Sequence, residues 1–519
     1  MRYTGSVVRR IILSSEYHAV TSQLSQIMLE LKTFNRDSVI AFFAACAVGL
    51  LLGGYALFFE TLPLEWAVLS LLAVLFVFFV MIVARIRWLL LAVVLIDIPL
   101  QLQNTLFYRE ADADYGAIGG INVSITLMAL VALYALWWAE SVAQPTRDKQ
   151  KIVIPTFWPL VSYIGIVALS MIVAVDKQLA FFEIALLVQM FLLHIYLICT
   201  VRTRSEIIYI VTMLLAGLLL ESFIMVAVRA IGHTIEMGPV KLRIDDVRVG
   251  GTIGGPNTAS GYLGLLLALP ISVIFTNLRF PYKWLGAAAA AMGLVALILT
   301  QSRGGFIAFA LSLTIVGFFV WRKGWVSPAV PIVGVLVLIG ALLLLQDVIV
   351  PSRFSSVNDD AATGRLPLLV LAGEMIRQNW ILGVGANNFV PTMWGYITPR
   401  FSREWLYVVH NNYLLIWAET GTGGILAFLW YLITTIRWGW RTWKLDDPLL
   451  SVLALGITAG ILGHMTHMMF DLFNSRPLVQ ALWVYSALLM TLYNVQQLSE
   501  QHEVPGEYSP SLKTILRLR

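Results

Sequence analysis

What most constrains this chain is a recurrence of apolar runs, each near the ~20 residues a helix needs to cross a bilayer. They fall at 38–59, 65–84, 87–102, 119–139, 154–175, 179–200, 206–231, 257–276, 283–301, 304–321, 327–346, 411–436, 449–471 and 477–496. The third is interrupted by Asp97 and Pro99 and the fifth by Pro159, so about twelve to fourteen spans are expected. Hydrophobic residues make up 59% of the 519 and charged residues 13%, against about 25% charged in ordinary soluble domains. The expected fold is therefore all-α, a polytopic integral membrane bundle rather than a soluble domain with an anchor. The first apolar run begins only at Ser38, so the first span itself, not a cleavable signal, is expected to direct insertion. Cys46 and Cys199 lie in different runs and predict no disulfide.

Six segments follow from the pattern: a cytoplasmic stretch 1–37, spans over 38–204, spans with outward loops over 205–346, a large outward loop 347–409, C-terminal spans over 410–496, and a cytoplasmic tail 497–519. In the first, Val20, Leu24, Ile27, Met28, Leu31 and Phe34 keep helical spacing and suggest a helix lying on the membrane surface. The large loop exceeds ordinary connection lengths, which marks it as functional. No internal repeat and no separate soluble domain is evident.

Charge gives the bundle its sides. Short cytoplasmic loops carry an excess of Lys and Arg. With the N-terminus inside, 22 of the 35 basic residues fall on the cytoplasmic side, leaving 13 outward or near outer span ends. The net charge of +5 is read as cytoplasmic loops meeting anionic lipid, with no nucleic-acid partner. Orientation does not account for the outward cations, which include Arg248, Arg303 and Arg365; His410 lies on the same face.

Arg303 sits in a turn of a few residues between two spans. An arginine near membrane depth is costly unless it faces a polar cavity or an anion. Ser302 precedes it, and Gly304 and Gly305 open the next helix, whose first amides and positive dipole end point the same way. Guanidinium plus helix N-terminus is a phosphate receptor. The plainer alternative is an arginine reaching for lipid headgroups. Arg248 begins the run Arg-Val-Gly-Gly-Thr-Ile-Gly-Gly-Pro-Asn257, with Asn257 as the expected cap of the next span. That run lacks the Gly-Lys-Ser/Thr ending of a nucleotide loop, and Asp245 or Asp246 offers a neutralising partner. Arg365 leads an amphipathic stretch to Trp380, followed by Gly383-Val-Gly385.

His410 is expected in the first turn of the span beginning near 411, where the dipole disfavours the imidazolium. A neutral imidazole accepts a proton from a hydroxyl, and Asn411 or Asn412 can orient it; a purely structural histidine is the plain alternative. His464, His467 and Asp471 recur at i, i+3 and i+7, which reads as a polar interhelical network before a metal site. No hydrolase-style carboxylate pair stands out, although Glu374, Asp359 and Asp360 are outward acids.

At these residues the chain resembles the O-antigen ligase and O-antigen polymerase superfamily of bacterial envelope glycosyltransferases, over roughly residues 205–495. The resemblance rests on the glycine-rich Arg248–Asn257 run, Ser302-Arg303-Gly304, and Arg365 with Asn379-Trp-Ile-Leu-Gly-Val-Gly385. It also rests on His410-Asn411-Asn412-Tyr413 and on His467-x-x-x-Asp471. It implies an inner-membrane transferase with a large periplasmic loop over its site, needing no metal or other cofactor. The implied donor is a glycan on undecaprenyl pyrophosphate. The implied acceptor is a lipid A core sugar for a ligase or a growing glycan for a polymerase. Arg248, Arg303 and Arg365 are then expected to grip the pyrophosphate and His410 to activate the acceptor, with inversion at the anomeric carbon. Residues 1–150 match nothing nameable. Two other readings compete: a lipid-linked oligosaccharide flippase, needing a charged cavity at mid-bilayer, and an envelope-assembly scaffold, for which the arginines are dispensable.

Overall fold

The computed structural model describes residues 86–143, 152–237, 240–324, 326–329, 365–397 and 406–502, with 332 and 336 as isolated positions. The expected surface helix in 1–37, the spans at 38–59, 65–84 and 327–346, Asp359, Asp360 and the tail beyond 502 lie outside the described residues. Every other expected span is a helix: α1 Ile86–Leu100, α2 Ile125–Ala143, α3 Phe157–Ser170, α4 Lys177–Thr200, α5 Arg204–Ile231, α6 Pro256–Leu266 continued by α7 Ala268–Ile274, α8 Phe280–Thr300 and α9 Arg303–Arg322. After the large loop come α10 Leu366–Gln378, the short α11 Phe389–Met393, α12 Asn412–Trp443, α13 Pro448–His467 and α14 Arg476–His502. Eight of these, with α6 and α7 counted together, are long and apolar enough to cross a membrane. The chain is an all-α polytopic membrane protein.

Two compact units divide the chain: residues 1–88 with 132–150, and residues 89–131 with 151–519. In the first, the rings of Tyr134 and Trp137 pack 5.6 Å apart within α2. Every residue argued below as part of a site belongs to the second.

Local signals fix the helix ends. Asp176 caps α4 and Asp447 caps α13 by accepting from backbone amides. Thr203 and Glu206 form a capping box that opens α5. Within the second unit α8 packs along α5, α9 along α13, α12 along α3 and α13, and α14 along α4. The centre belongs to α13 and α14, which are buried on nearly every side. Small residues let α13 in: a Cβ on Gly460 meets the Leu265 carbonyl oxygen at 2.1 Å, and one on Gly463 meets the Ala308 oxygen at 2.5 Å. Without water to drive helices together, such backbone approach supplies the packing contact.

Two departures from an all-helical reading appear in connections between helices. Gln103–Leu106 pairs antiparallel with Ile121–Ser124. A three-stranded sheet forms from β-strands Ile235–Met237, Val240–Asp245 and Arg248–Gly251.

The two ends of the second unit carry different groups. At one end Arg204 Nη2 meets Asp447 Oδ2 at 3.0 Å, and Lys323 Nζ lies 4.2 Å from the Trp443 ring centre. At the other end lie Thr300, Arg303, His410, His467 and the turn from Met468 to Ser475.

Candidate functional site

The α8–α9 turn is tight. Gln301 takes the left-handed conformation that ends α8, with φ 52°, and Ser302 Oγ accepts from Gly305 N at 3.4 Å to open α9. Arg303, the first residue of α9, is exposed. Arg248 reaches this turn from its strand: Nε donates to the Thr300 carbonyl at 3.0 Å and Nη2 to Asn257 Oδ1 at 2.5 Å. The guanidinium thus ties the end of α8 to the start of α6. One expectation is corrected here. Asn257 is not the cap of α6; Gly255 holds that position and Asn257 serves Arg248 instead. Asp245 pairs with Arg243 Nε at 2.7 Å.

The end of α13 and the start of α12 form the facing half. His467 is the last residue of α13, and its ring lies on the backbone that opens α9: a Cβ on Gly304 comes within 2.7 Å of its Cδ2 and Nε2. The helix stops there, so Asp471 sits in the following turn, not on a shared helical face with His464 and His467. Phe473 fills the space between, 4.8 Å from the His464 ring and 4.7 Å from the His467 ring. Arg365 donates through Nη1 to the Phe470 carbonyl at 2.8 Å, and its Nη2 stands 3.8 Å from Asp471 Oδ2.

Asn411 and Asn412 staple this turn to α12. Asn411 caps the helix by accepting from Leu414 N at 3.0 Å, while its Nδ2 donates to Met469 O at 3.0 Å. Asn412 N donates to Met468 O at 2.9 Å, and its Oδ1 accepts from Phe473 N at 3.1 Å. His410 therefore precedes the helix instead of sitting in its first turn, its ring centre 5.4 Å from that of Tyr407 and tilted 44° to it. Its imidazole is pushed below its ordinary value chiefly by burial; Asp471 pulls the other way and Arg365 adds to the lowering. Neutrality was expected from the helix dipole; its main cause is desolvation.

The sequence-predicted residues thus form two groups at one end of the unit. Arg248, Asn257, Ser302, Arg303 and Gly304 make one; Arg365, His410, Asn411, Asn412 and Asp471 make the other. His467 joins them. Glu374 stays out, exposed and bound by Arg377 and Gln378, which hold it down to about 2.

Sequence reasoning missed a break in α12. Gly421, at φ 69° and ψ −174°, interrupts the helix. The Trp380–Gly385 segment fills the gap: Val384 N donates to Ala418 O, Gly385 N to Glu419 O and Thr422 N to Trp380 O, at 2.8 to 2.9 Å. The Gly-Thr-Gly-Gly run at 421–424 was the available signal. Beside the break, Glu183 and Glu419 line a cavity with Tyr163, Asn387, Asn412 and Asn474. At about 50 Å³ it has room for a few waters, well short of the ~300 Å³ at which ligand pockets begin.

Residues 287–429 match the family model described as O-antigen ligase. No curated protein matches the chain. The matched segment runs from within α8 to just past the break in α12, so it takes in Ser302, Arg303, Gly304, Arg365, His410, Asn411 and Asn412, while Arg248, Asn257, His467 and Asp471 lie outside it. The match supports a glycan transferase of the ligase family, and this chain, a multi-pass membrane protein, is similar to that family over residues 287–429.

Proposed function

We propose that the protein moves a glycan from undecaprenyl pyrophosphate to an acceptor hydroxyl on the periplasmic face of the bacterial inner membrane. The acceptor is a lipid A core sugar if the protein is a ligase and a growing glycan if it is a polymerase. The observation that carries this reading is that Arg365 and the Asn411-Asn412 pair directly after His410 bond to one turn, Met468–Phe473, whose preceding residue His467 rests on the helix that Arg303 begins.

In this reaction the acceptor oxygen attacks the anomeric carbon while the bond from that carbon to the pyrophosphate oxygen breaks. His410 takes the hydroxyl proton. The departing lipid pyrophosphate keeps the electron pair, and its growing charge falls to Arg303 and Arg365. Fixed cations and helix amides stabilise such charge best where water is excluded. Arg248 contributes by holding the α8–α9 turn in place. Attack opposite the leaving group inverts the anomeric centre. The flippase reading draws on Glu183 and Glu419, but a cavity of about 50 Å³ is far too small for a lipid-linked glycan.

The test is a reconstitution with an undecaprenyl-pyrophosphate-linked glycan and both acceptor classes, read by product length and lipid attachment. Arg303→Ala is expected to cost ~10²–10³-fold in transfer and His410→Ala ~10²–10⁴-fold, with both proteins still inserted. Undiminished transfer in both removes the mechanism. Because the His410 imidazole titrates below its usual value, transfer should hold as pH falls through ~6.5 and decline only further down. A decline already beginning above that point speaks against His410 as the base.

A further inference from the structure

His467 is 1% exposed, and neither of its ring nitrogens has a hydrogen-bond partner among the described residues. Gln301 is 7% exposed, and neither its amide oxygen nor its amide nitrogen has one. Folded proteins rarely leave buried polar atoms unanswered, because the lost hydration is not recovered. Here four such atoms belong to two side chains that border one feature, the start of α9. Gln301 lies two residues before that helix, and the His467 Nε2 edge lies over Gly304 within its first turn. The packing holds the imidazole there: Phe473 backs its ring at 4.7 Å, and Phe473 is itself pressed on α6, where a Cβ on Gly261 comes within 2.4 Å of Phe473 Cε1.

We propose that His467 and Gln301, together with the first-turn amides of α9 that Ser302 leaves open, form a buried receptor for the glycosyl phosphate end of the donor. The chemistry of the open atoms sets the ligand class. The imidazole N–H, the Gln301 amide N–H groups and the helix amides donate, and phosphate oxygens accept. The second imidazole nitrogen and the Gln301 carbonyl oxygen accept, and the hydroxyls of the phosphate-linked sugar donate. Bare pyrophosphate answers only the first set; a sugar phosphate answers both. Exposed Arg303, beside this pair, marks the side from which the charged group arrives. The assignment rests on the donor chemistry proposed above and adds the residues that read the sugar next to the phosphate.

The test measures binding of an undecaprenyl-pyrophosphate-linked glycan, and of undecaprenyl pyrophosphate itself, to the full-length protein in lipid nanodiscs, with Arg303→Ala as reference. In His467→Phe, affinity for the glycan-bearing donor should fall about tenfold or more, the scale of a lost hydrogen bond to a charged group. The loss for undecaprenyl pyrophosphate should be smaller. The ligand-free variant should melt no lower than the parent, because an apolar ring replaces unpaired polar atoms. Unchanged donor affinity in His467→Phe, while Arg303→Ala loses it, overturns this inference and leaves the proposed function standing. Unchanged affinity in both overturns the two together. A matched fall in melting temperature and affinity makes His467 a packing residue and also overturns it. Should His467→Phe fail to fold, Gln301→Asn carries the test. Asn tolerates the left-handed backbone and withdraws the amide by one methylene, so retained glycan-donor affinity there is equally fatal.

Discussion

Asp97 and Arg476, each 2% exposed, are buried in the second unit like His467 at 1% and Gln301 at 7%, yet the first pair is bound on almost every side-chain atom. Asp97 Oδ1 accepts from Leu102 N at 2.8 Å; Oδ2 accepts from Thr126 Oγ1 at 2.6 Å and Arg476 Nη1 at 2.9 Å. Gln480 completes the set, its Oε1 accepting from Arg476 and its Nε2 donating to Val94 O at 3.1 Å. Only Arg476 Nε is left over among these atoms. This polar network clamps α1, α2 and α14, and all but one of its atoms are already bound. The region at the α8–α9 turn is equally buried and chemically open. Polarity inside a membrane bundle thus has two uses, and the state of the hydrogen bonds separates them.

That contrast predicts opposite responses to the loss of a polar group. Arg476→Ala should be the most damaging change, because it strands the Asp97 carboxylate; removing one partner of a buried pair costs ~3–5 kcal/mol, readable by thermal unfolding in nanodiscs. If Arg476→Ala melts like the parent, the network is not a clamp. Gly460→Val should cost ~1–3 kcal/mol, the usual range for overpacking, since its Cβ meets a backbone oxygen at 2.1 Å. It also displaces α13, which ends in His467, so donor affinity should fall with stability. His467→Phe sharpens the contrast by reversing the sign: relief of unpaired groups is worth ~1 kcal/mol or more of stability. Least of all, Glu374→Gln should leave transfer and melting unchanged, since its partners Arg377 and Gln378 are exposed and lie along the same helix.

Much of this arrangement was legible in the sequence because membrane insertion writes its rules in composition. Apolar runs gave the spans of the described residues; among these residues Arg204, Lys323 and Lys444 lie at one end, Arg248, Arg303 and Arg365 at the other. The residues at the candidate site were legible through their company, a cation beside glycines at a helix start or a histidine before a pair of asparagines. The rest depends on contacts no local pattern records. Asp97 read as an interruption of a span, and its partner lies 379 residues away. The strands at 235–251 were hidden in a glycine-rich stretch that reads equally well as loop. The Asn257 cap failed by two positions because Gly255-Pro256 already sets the helix start, which frees the asparagine for Arg248. Burial, not the dipole, dominates at His410, and burial is a property of the assembled loop, Tyr407 included.

The break at Gly421 has a mechanical consequence. The outer piece of α12 carries His410 just ahead of its tip, and at its base it borrows hydrogen bonds from Trp380 and Gly385. The Trp380–Gly385 segment and the piece of α12 that follows His410 are therefore joined at one point, so a displacement of either is carried to the other.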